Sequence, residues 1–225
     1  MVDFKNIVLI TSVINTSKKP LSYTKTRSVY TKEERYEQTK KTIESLDSIQ
    51  DKLVILIEGS DLETDKEIYL KNNVDLYKNL FHNKKEYKKI KSKYKSLGEV
   101  TQTLEAVEFI KSLDLRFDNF FKITGRYELT KNFDFNNFEN DKFVARKIDG
   151  DINNVITSLY KVPFQYFDRY YKFLIEAKKN KKYFSIGIEK TLANFLLNND
   201  DIDTIYLNHL GIYSLISVSH DKFEV

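Results

Sequence analysis

The stretch DNFFKITGRY, residues 118–127, decides how the chain is read. Phe120, Phe121 and Ile123 are β-formers without helical spacing, so the run reads as a strand buried on both faces that ends at Gly125 and Arg126. In an open, mostly parallel sheet, ligands sit beyond the carboxyl ends of the strands, where the connecting loops converge on a crevice. A strand that delivers Lys122, Thr124, Gly125, Arg126 and Tyr127 to that edge offers two cations, a hydroxyl, a bare backbone and an aromatic face. That set suits a phosphate-bearing ligand. Arg126 paired with a carboxylate at a plain turn is the competing reading.

Upstream, two further runs have the same character. Lys5–Ile14 (KNIVLITSVI) and Lys52–Ile57 (KLVILI) are mostly apolar and rich in β-branched residues, and each gives way to a polar stretch: Asn15, Thr16 and Ser17 after the first, and Glu58, Gly59, Ser60 and Asp61 after the second. The first exit loop is long. It runs past Pro20 and Arg27 to Thr31, where Thr31 and Glu34 form the signature of a capping box before a helix. Loops of that length between strand and helix are commonly functional, which makes Arg27 and Arg35 candidate ligand contacts, although Arg35 also reads as a surface ion pair. A short helix is expected over Glu63–Asn72 and a short strand over Val74–Tyr77. Lys84–Lys95 (KKEYKKIKSKYK) spaces Tyr87, Ile90 and Tyr94 as an amphipathic helix with a lysine face. A break is expected at Ser96–Glu99, and a helix on Val100, Leu104, Val107 and Ile110. Strand and helix alternate through residue 127, the pattern of a parallel sheet with helices on its faces.

Beyond Tyr127 the pattern changes to an aromatic and Asn/Asp loop. Strand-like runs over Lys142–Ile148 and Asn154–Tyr160 follow, joined by Asp149-Gly150-Asp151, a hairpin signal. Pro163 suits the first position of a helix, Ser185–Leu197 reads as another helix, and Thr204–Leu207 and Gly211–Val218 close the chain as strands. With no linker or repeat, one domain over 1–225 is expected, a nucleotide-binding half over 1–127 and an acceptor-side half over 128–225.

Composition bounds the function. The 225 residues are long enough to bury roughly 70% of the unfolded surface. At 41% hydrophobic and 14% aromatic, the chain is folded and its charge is on the surface. There is no cysteine, so disulfides and thiolate metal sites are excluded, and His82, His209 and His220 are too scattered for a zinc site. The absence of a long apolar run or leader leads to the expectation of a cytoplasmic protein without a membrane span. The net charge of +4 is carried mostly by Lys84–Lys95, which reads as a solvated face or as a patch for a polyanion. A nucleic-acid-binding accessory protein is therefore an alternative function, and a catalytically inactive binding module is another.

The segments ITSVIN, PLSYTKTRSVYTKEERYEQTKKTIESL, LIEGSDL, KSLGEVTQTLEA, DNFFKITGRYEL, TSLYKV and IEKTLANFL resemble those of small glycosyltransferase-like proteins of bacteria, large DNA viruses and phages. The resemblance covers most of the chain. It implies a GT-A-like α/β fold, a mostly parallel central sheet flanked by helices with a smaller mixed C-terminal part. It also implies transfer of a sugar from a nucleotide donor to a glycan, lipid-carrier, protein or modified-nucleobase acceptor. GT-A enzymes usually hold a divalent metal, Mn or Mg, on an Asp-x-Asp motif where this chain has Thr124-Gly125-Arg126-Tyr127. The leaving diphosphate would then be met by Arg126 and Lys122, with Arg27 or Lys95, and no metal would be required. Asp149/Asp151 and Asp201/Asp203 are literal Asp-x-Asp triplets. The first is an alternative metal site, although it also fits the hairpin turn. The donor's base is expected near Thr11, Ser12 and Glu58, its phosphates near Arg27 and Arg126. Glu189 is the candidate base for an inverting transfer, with Glu99 and Asp149 as alternatives. As a residue of a helix's first turn, Glu189 also has a purely structural reading.

Overall fold

The computed structural model describes residues 3–215, 218–219 and 221–225. His220 and part of the strand expected over 211–218 lie outside the described residues. Strand β1 (Asp3–Ser12) leads through a loop to helix α1 (Lys32–Ser45), which starts at Thr31 with the expected capping box. Then come β2 (Lys52–Glu58), α2 (Thr64–Asn72) and β3 (Leu76–Asn79), the last two residues later than the sequence suggested. The basic helix α3 stops at Ile90 (Lys84–Ile90), and α4 (Lys95–Ser112) begins five residues on. The break therefore lies at Lys91–Tyr94, while Ser96–Glu99, expected to be the break, is the first turn of α4. Gly98 explains the difference: a Cβ there would stand 2.9 Å from the Ile90 carbonyl oxygen, so its bare backbone lets α4 start against the end of α3.

After β4 (Arg116–Thr124) and the short β5 (Glu128–Leu129), the second half departs further from expectation. The run expected as one strand over 142–148 is split into β6 (Phe143–Ala145) and β7 (Lys147–Ile148). Strand β8 (Asp151–Val155) forms the hairpin with β7, with Asp149 at φ 49° and Gly150 at φ 76°, and β9 (Leu159–Pro163) leaves it for the main sheet. Arg146, whose carbonyl accepts from the Ile156 N–H at 2.8 Å, is where the chain leaves one sheet for the other. Pro163 is the end of β9 and the cap of α5 (Phe164–Lys179), not its first residue, and it sits in the ladder opposite Asn119. The expected helix over 185–197 is two, α6 (Lys181–Ile186) and α7 (Ile188–Leu197), broken at Gly187. β10 (Thr204–Tyr206), β11 (Ile212–Leu215) and β12 (Lys222–Glu224) follow.

The seven-stranded sheet has the order β10-β6-β9-β4-β1-β2-β3. β4, β1, β2 and β3 are parallel, β9 runs antiparallel to β4 and β6, and β10 is parallel to β6. The three strands that the apolar runs predicted are thus adjacent at its centre. Alternation along β1 sends Ile7 and Leu9 to one face, where α4, α5 and α7 cover them, and Val8 and Ile10 to the other, under α1 and the three-stranded sheet β12-β11-β5. Each such side chain, buried completely, contributes roughly 1.5–3 kcal/mol. Layers on both faces hold the ends of β1 and β4 rigid.

Candidate active site

The chain leaves β1 toward β2 and β3 and returns on its other side as β4, so the loops after β1 and β4 part company. Such a switch leaves a crevice at the carboxyl edge. Its floor is tied across the strands. The Gly59 N–H donates to Ser12 O at 2.9 Å and the Gly125 N–H to Thr11 O at 2.8 Å. Gln102, buried in α4, donates from Nε2 to Ser12 O at 2.6 Å and to Ile57 O at 3.1 Å, fixing α4 to the strand ends. On the other side, Thr39 of α1 shares a hydroxyl contact of 3.1 Å with Ser12 and lies 2.8 Å from Gly125 O.

The crevice holds about 680 Å³ of empty space with its open mouth included. Arg27, Arg35, Lys95 and Arg126 converge on it, with Thr11 and Thr124 on the floor. Arg35 is buried and anchored through Nε to Val13 O at 2.7 Å. Burial, with Arg126 and Arg27 beside it and Glu58 opposing, pushes Arg35 down to about 9, so it still carries its proton at neutral pH. Arg27 clasps the loop: Nε donates to Lys19 O at 3.1 Å, and its other nitrogens donate to the carbonyls of Ile90 (3.3 Å) and Ser92. Arg126 is buried, lies 5.3 Å from the ring of Tyr127, and forms no salt bridge among the described residues. Burial works against the charge of Lys95, but Glu189 and Glu99 outweigh it and raise its pKa.

The carboxylates are placed differently. Glu99 lines the crevice but is committed to Lys122 at 2.5 Å. Despite burial, Lys122 and Lys95 hold it below the usual carboxylate range, which keeps it ionised and makes it a weak base. Glu58 lies under the floor, where Oε1 accepts from Ser60 Oγ at 2.5 Å and from the Ile14 N–H at 3.1 Å, and Oε2 has no partner. Glu189, in the first turn of α7, is half-buried and is not among the residues that line the crevice, although its charge bears on Lys95, which does line it. Asp149 and Asp151 form the exposed β7–β8 turn, and Asp151 accepts from the Asn153 N–H at 2.9 Å. No cluster of three His, Asp or Glu able to hold a metal stands among the described residues. A crevice whose one carboxylate is already paired and whose other charges are cationic does not fit a divalent metal.

Of the residues singled out in the sequence, Thr11, Ser12, Arg27, Lys95, Glu99 and Arg126 line one crevice. Others stand behind it. Lys122 is fully buried, its ammonium taken up by Glu99, Thr124 Oγ1 (2.9 Å) and Thr157 O (2.7 Å), so it positions Glu99 and does not face a ligand. Glu58 supports the floor from below, Gly125 closes the strand ladder, and Tyr127 packs in the core beneath Arg126. Arg35, expected also as a surface ion pair, is instead buried in the crevice wall. Gln102 was missed; its signal was a lone amide on the apolar stripe of α4.

No protein-family model and no curated protein matches the chain by sequence. Solved structures match by shape. A putative nucleotide-diphospho-sugar transferase from Desulfovibrio desulfuricans G20 is 9% identical with a TM-score of 0.50, over 90% of this chain and 79% of that one. The fold is that of a nucleotide-diphospho-sugar transferase. The apo form of the glycosyltransferase GlyE of Streptococcus pneumoniae TIGR4 is 11% identical with a TM-score of 0.50, over 89% of this chain but 45% of that longer one. A cysteine-to-serine double mutant of a transferase is 12% identical with a TM-score of 0.50, over 94% of both chains. The GT-A-like fold that the sequence resemblance implied is thus the observed one.

Proposed function

We propose that the chain transfers a sugar from a nucleotide-diphospho-sugar to an acceptor hydroxyl, with Arg126, Arg35 and Lys95 taking the place of a divalent cation against the diphosphate. The observation that supports this is the convergence of three guanidiniums and an ammonium, with one already-paired carboxylate, on the crevice where this fold binds ligands. Like charges held together in a buried site call for an anion. As the bond from the anomeric carbon to the diphosphate oxygen breaks, negative charge grows on the departing phosphate, and a fixed guanidinium fork meets two of its oxygens at once. The nucleoside lies toward Thr11 and Ser12. In an inverting transfer Glu189 accepts the acceptor's proton, because Glu99 is held ionised and weakly basic by Lys122.

Melting curves with UDP, GDP, CDP and ADP test the donor site, because a ligand that binds only the folded chain raises its melting temperature. At least one should raise it; none at millimolar concentration removes the support for a donor site. Arg126→Lys should lower kcat on the order of a hundredfold with less effect on donor affinity, and activity should survive EDTA. Full loss in EDTA restored by manganese or magnesium, with Asp151→Asn more damaging than Arg126→Lys, would make the arginine account wrong.

A further inference from the structure

Between Phe81 and Lys95 seven lysines stand against one glutamate, and between Glu176 and Lys182 four stand against one. The fold brings the two stretches together. Glu86, buried on the inner side of α3, is bracketed by Lys89 at 3.0 Å and by Lys178 from the end of α5 at 2.8 Å. Glu105 also holds Lys178, at 3.5 Å, while Glu176 accepts from the Tyr183 hydroxyl at 2.9 Å and is in no salt bridge among the described residues. Lys85, Lys88, Lys91 and Lys93 from the first stretch and Lys181 and Lys182 from the second remain exposed and form no salt bridge among the described residues.

The basic face borders the mouth of the crevice. The Ser22 N–H donates to Lys93 O at 2.9 Å, the rings of Tyr94 and Phe184 lie 5.3 Å apart, and the Ile188 N–H donates to Ser96 Oγ at 2.9 Å. Two large side chains break the polar surface there: Tyr23, 64% exposed, beside Ser22, and Ile186, 38% exposed, at the end of α6. Lysines around protruding aromatic and aliphatic tips are what a protein needs to rest on a charged lipid headgroup layer.

We propose that this face docks on an anionic lipid surface, with Tyr23 and Ile186 entering the headgroup layer and the crevice mouth turned toward it. On the transferase reading above, the acceptor is then presented from that surface; the docking itself does not depend on that reading. Nucleic acid fits the face less well. Base stacking along a strand needs a series of free ring faces, yet Lys91 stands over the Tyr87 ring at 4.5 Å and Lys93 over the Tyr94 ring at 5.3 Å, so of Tyr23, Tyr87 and Tyr94 only Tyr23 is exposed. Nor does any arginine, the side chain suited to paired contacts on phosphates and bases, stand in either lysine stretch.

Sedimentation of the whole chain with vesicles of phosphatidylcholine alone, or with added phosphatidylserine, tests the proposal. Binding is expected only to the anionic vesicles, weakening as salt is raised. The triple variant K85E/K88E/K182E should bind them at least about tenfold more weakly. Tyr23→Ser with Ile186→Ser should also weaken binding while leaving the circular dichroism and melting temperature unchanged. No binding to anionic vesicles, or an oligonucleotide that strips the protein from them, overturns the docking; full binding by the Tyr23/Ile186 variant overturns the insertion. The nucleotide melting curves on the same preparation read the donor site separately.

Discussion

The Arg126 guanidinium rests 5.3 Å from the Tyr127 ring, forms no salt bridge among the described residues, and stands close enough to Arg35 for the two charges to act on one another. Repulsion among buried cations makes a ligand site of this kind a local cost to the empty fold. Arg126→Gln should therefore raise the melting temperature of the ligand-free protein by about 2–4 °C, the equivalent of about 1 kcal/mol in a chain of this size. The same variant should lose the stabilisation that inorganic pyrophosphate gives the wild type. A lower melting temperature without ligand would show that the cluster is not strained. At this scale the sequence was legible where a residue stood next to a strand end, as Arg126 and Ser12 do. It was opaque where burial reversed a familiar habit. In α1 the buried residues are Arg35, Thr39 and Thr42, a polar stripe at helical spacing that a search for apolar periodicity passes over. Lys122 lies on the same apolar run as Phe121 and Ile123, and only the position of Glu99 on α4, over that face of the sheet, reveals that its charge is neutralised from within.

Among the elements, the junction of α3 and α4 governs the crevice wall. Alanine in place of a helical glycine ordinarily stabilises by about 0.5–1 kcal/mol. At Gly98 the added carbon would meet the Ile90 carbonyl oxygen at 2.9 Å and the Ile90 Cα at 3.3 Å, both backbone atoms that cannot turn aside. Gly98→Ala should instead destabilise by about 1–3 kcal/mol in urea melts. It should also weaken donor binding, because the carbonyls that Arg27 grips, those of Ile90 and Ser92, move with the end of α3. A stabilised variant with unchanged binding would contradict that coupling. Apolar runs of β-branched or aromatic residues gave away β1, β2 and β4, since few other structures bury such runs on both faces. The strands of the second half span two to five residues and carry polar side chains, so their partners, and not their own pattern, decide where each begins.

For the molecule as a whole, the alternation of strand and helix told the order of the first half, but nothing local announced that β9, β6 and β10 would extend the same sheet, because strand pairing across distant sequence leaves no periodic trace. The centre of that sheet should be its most stable part. In amide hydrogen exchange β1, β2 and β4 should be slowest, and a nucleotide that binds should slow residues 15–31 and 91–96 selectively. Uniform slowing across the chain would place the ligand's effect on global unfolding alone. One feature of the crevice reaches beyond its chemistry. Among the described residues, those lining it all come from between Thr11 and Arg126, while residues after 127 complete the sheet around it. Recombination near residue 127 would therefore exchange the second half as a block while the ligand-holding set stayed within one parent. A lineage built on this plan can change what approaches the crevice without relearning what the crevice holds.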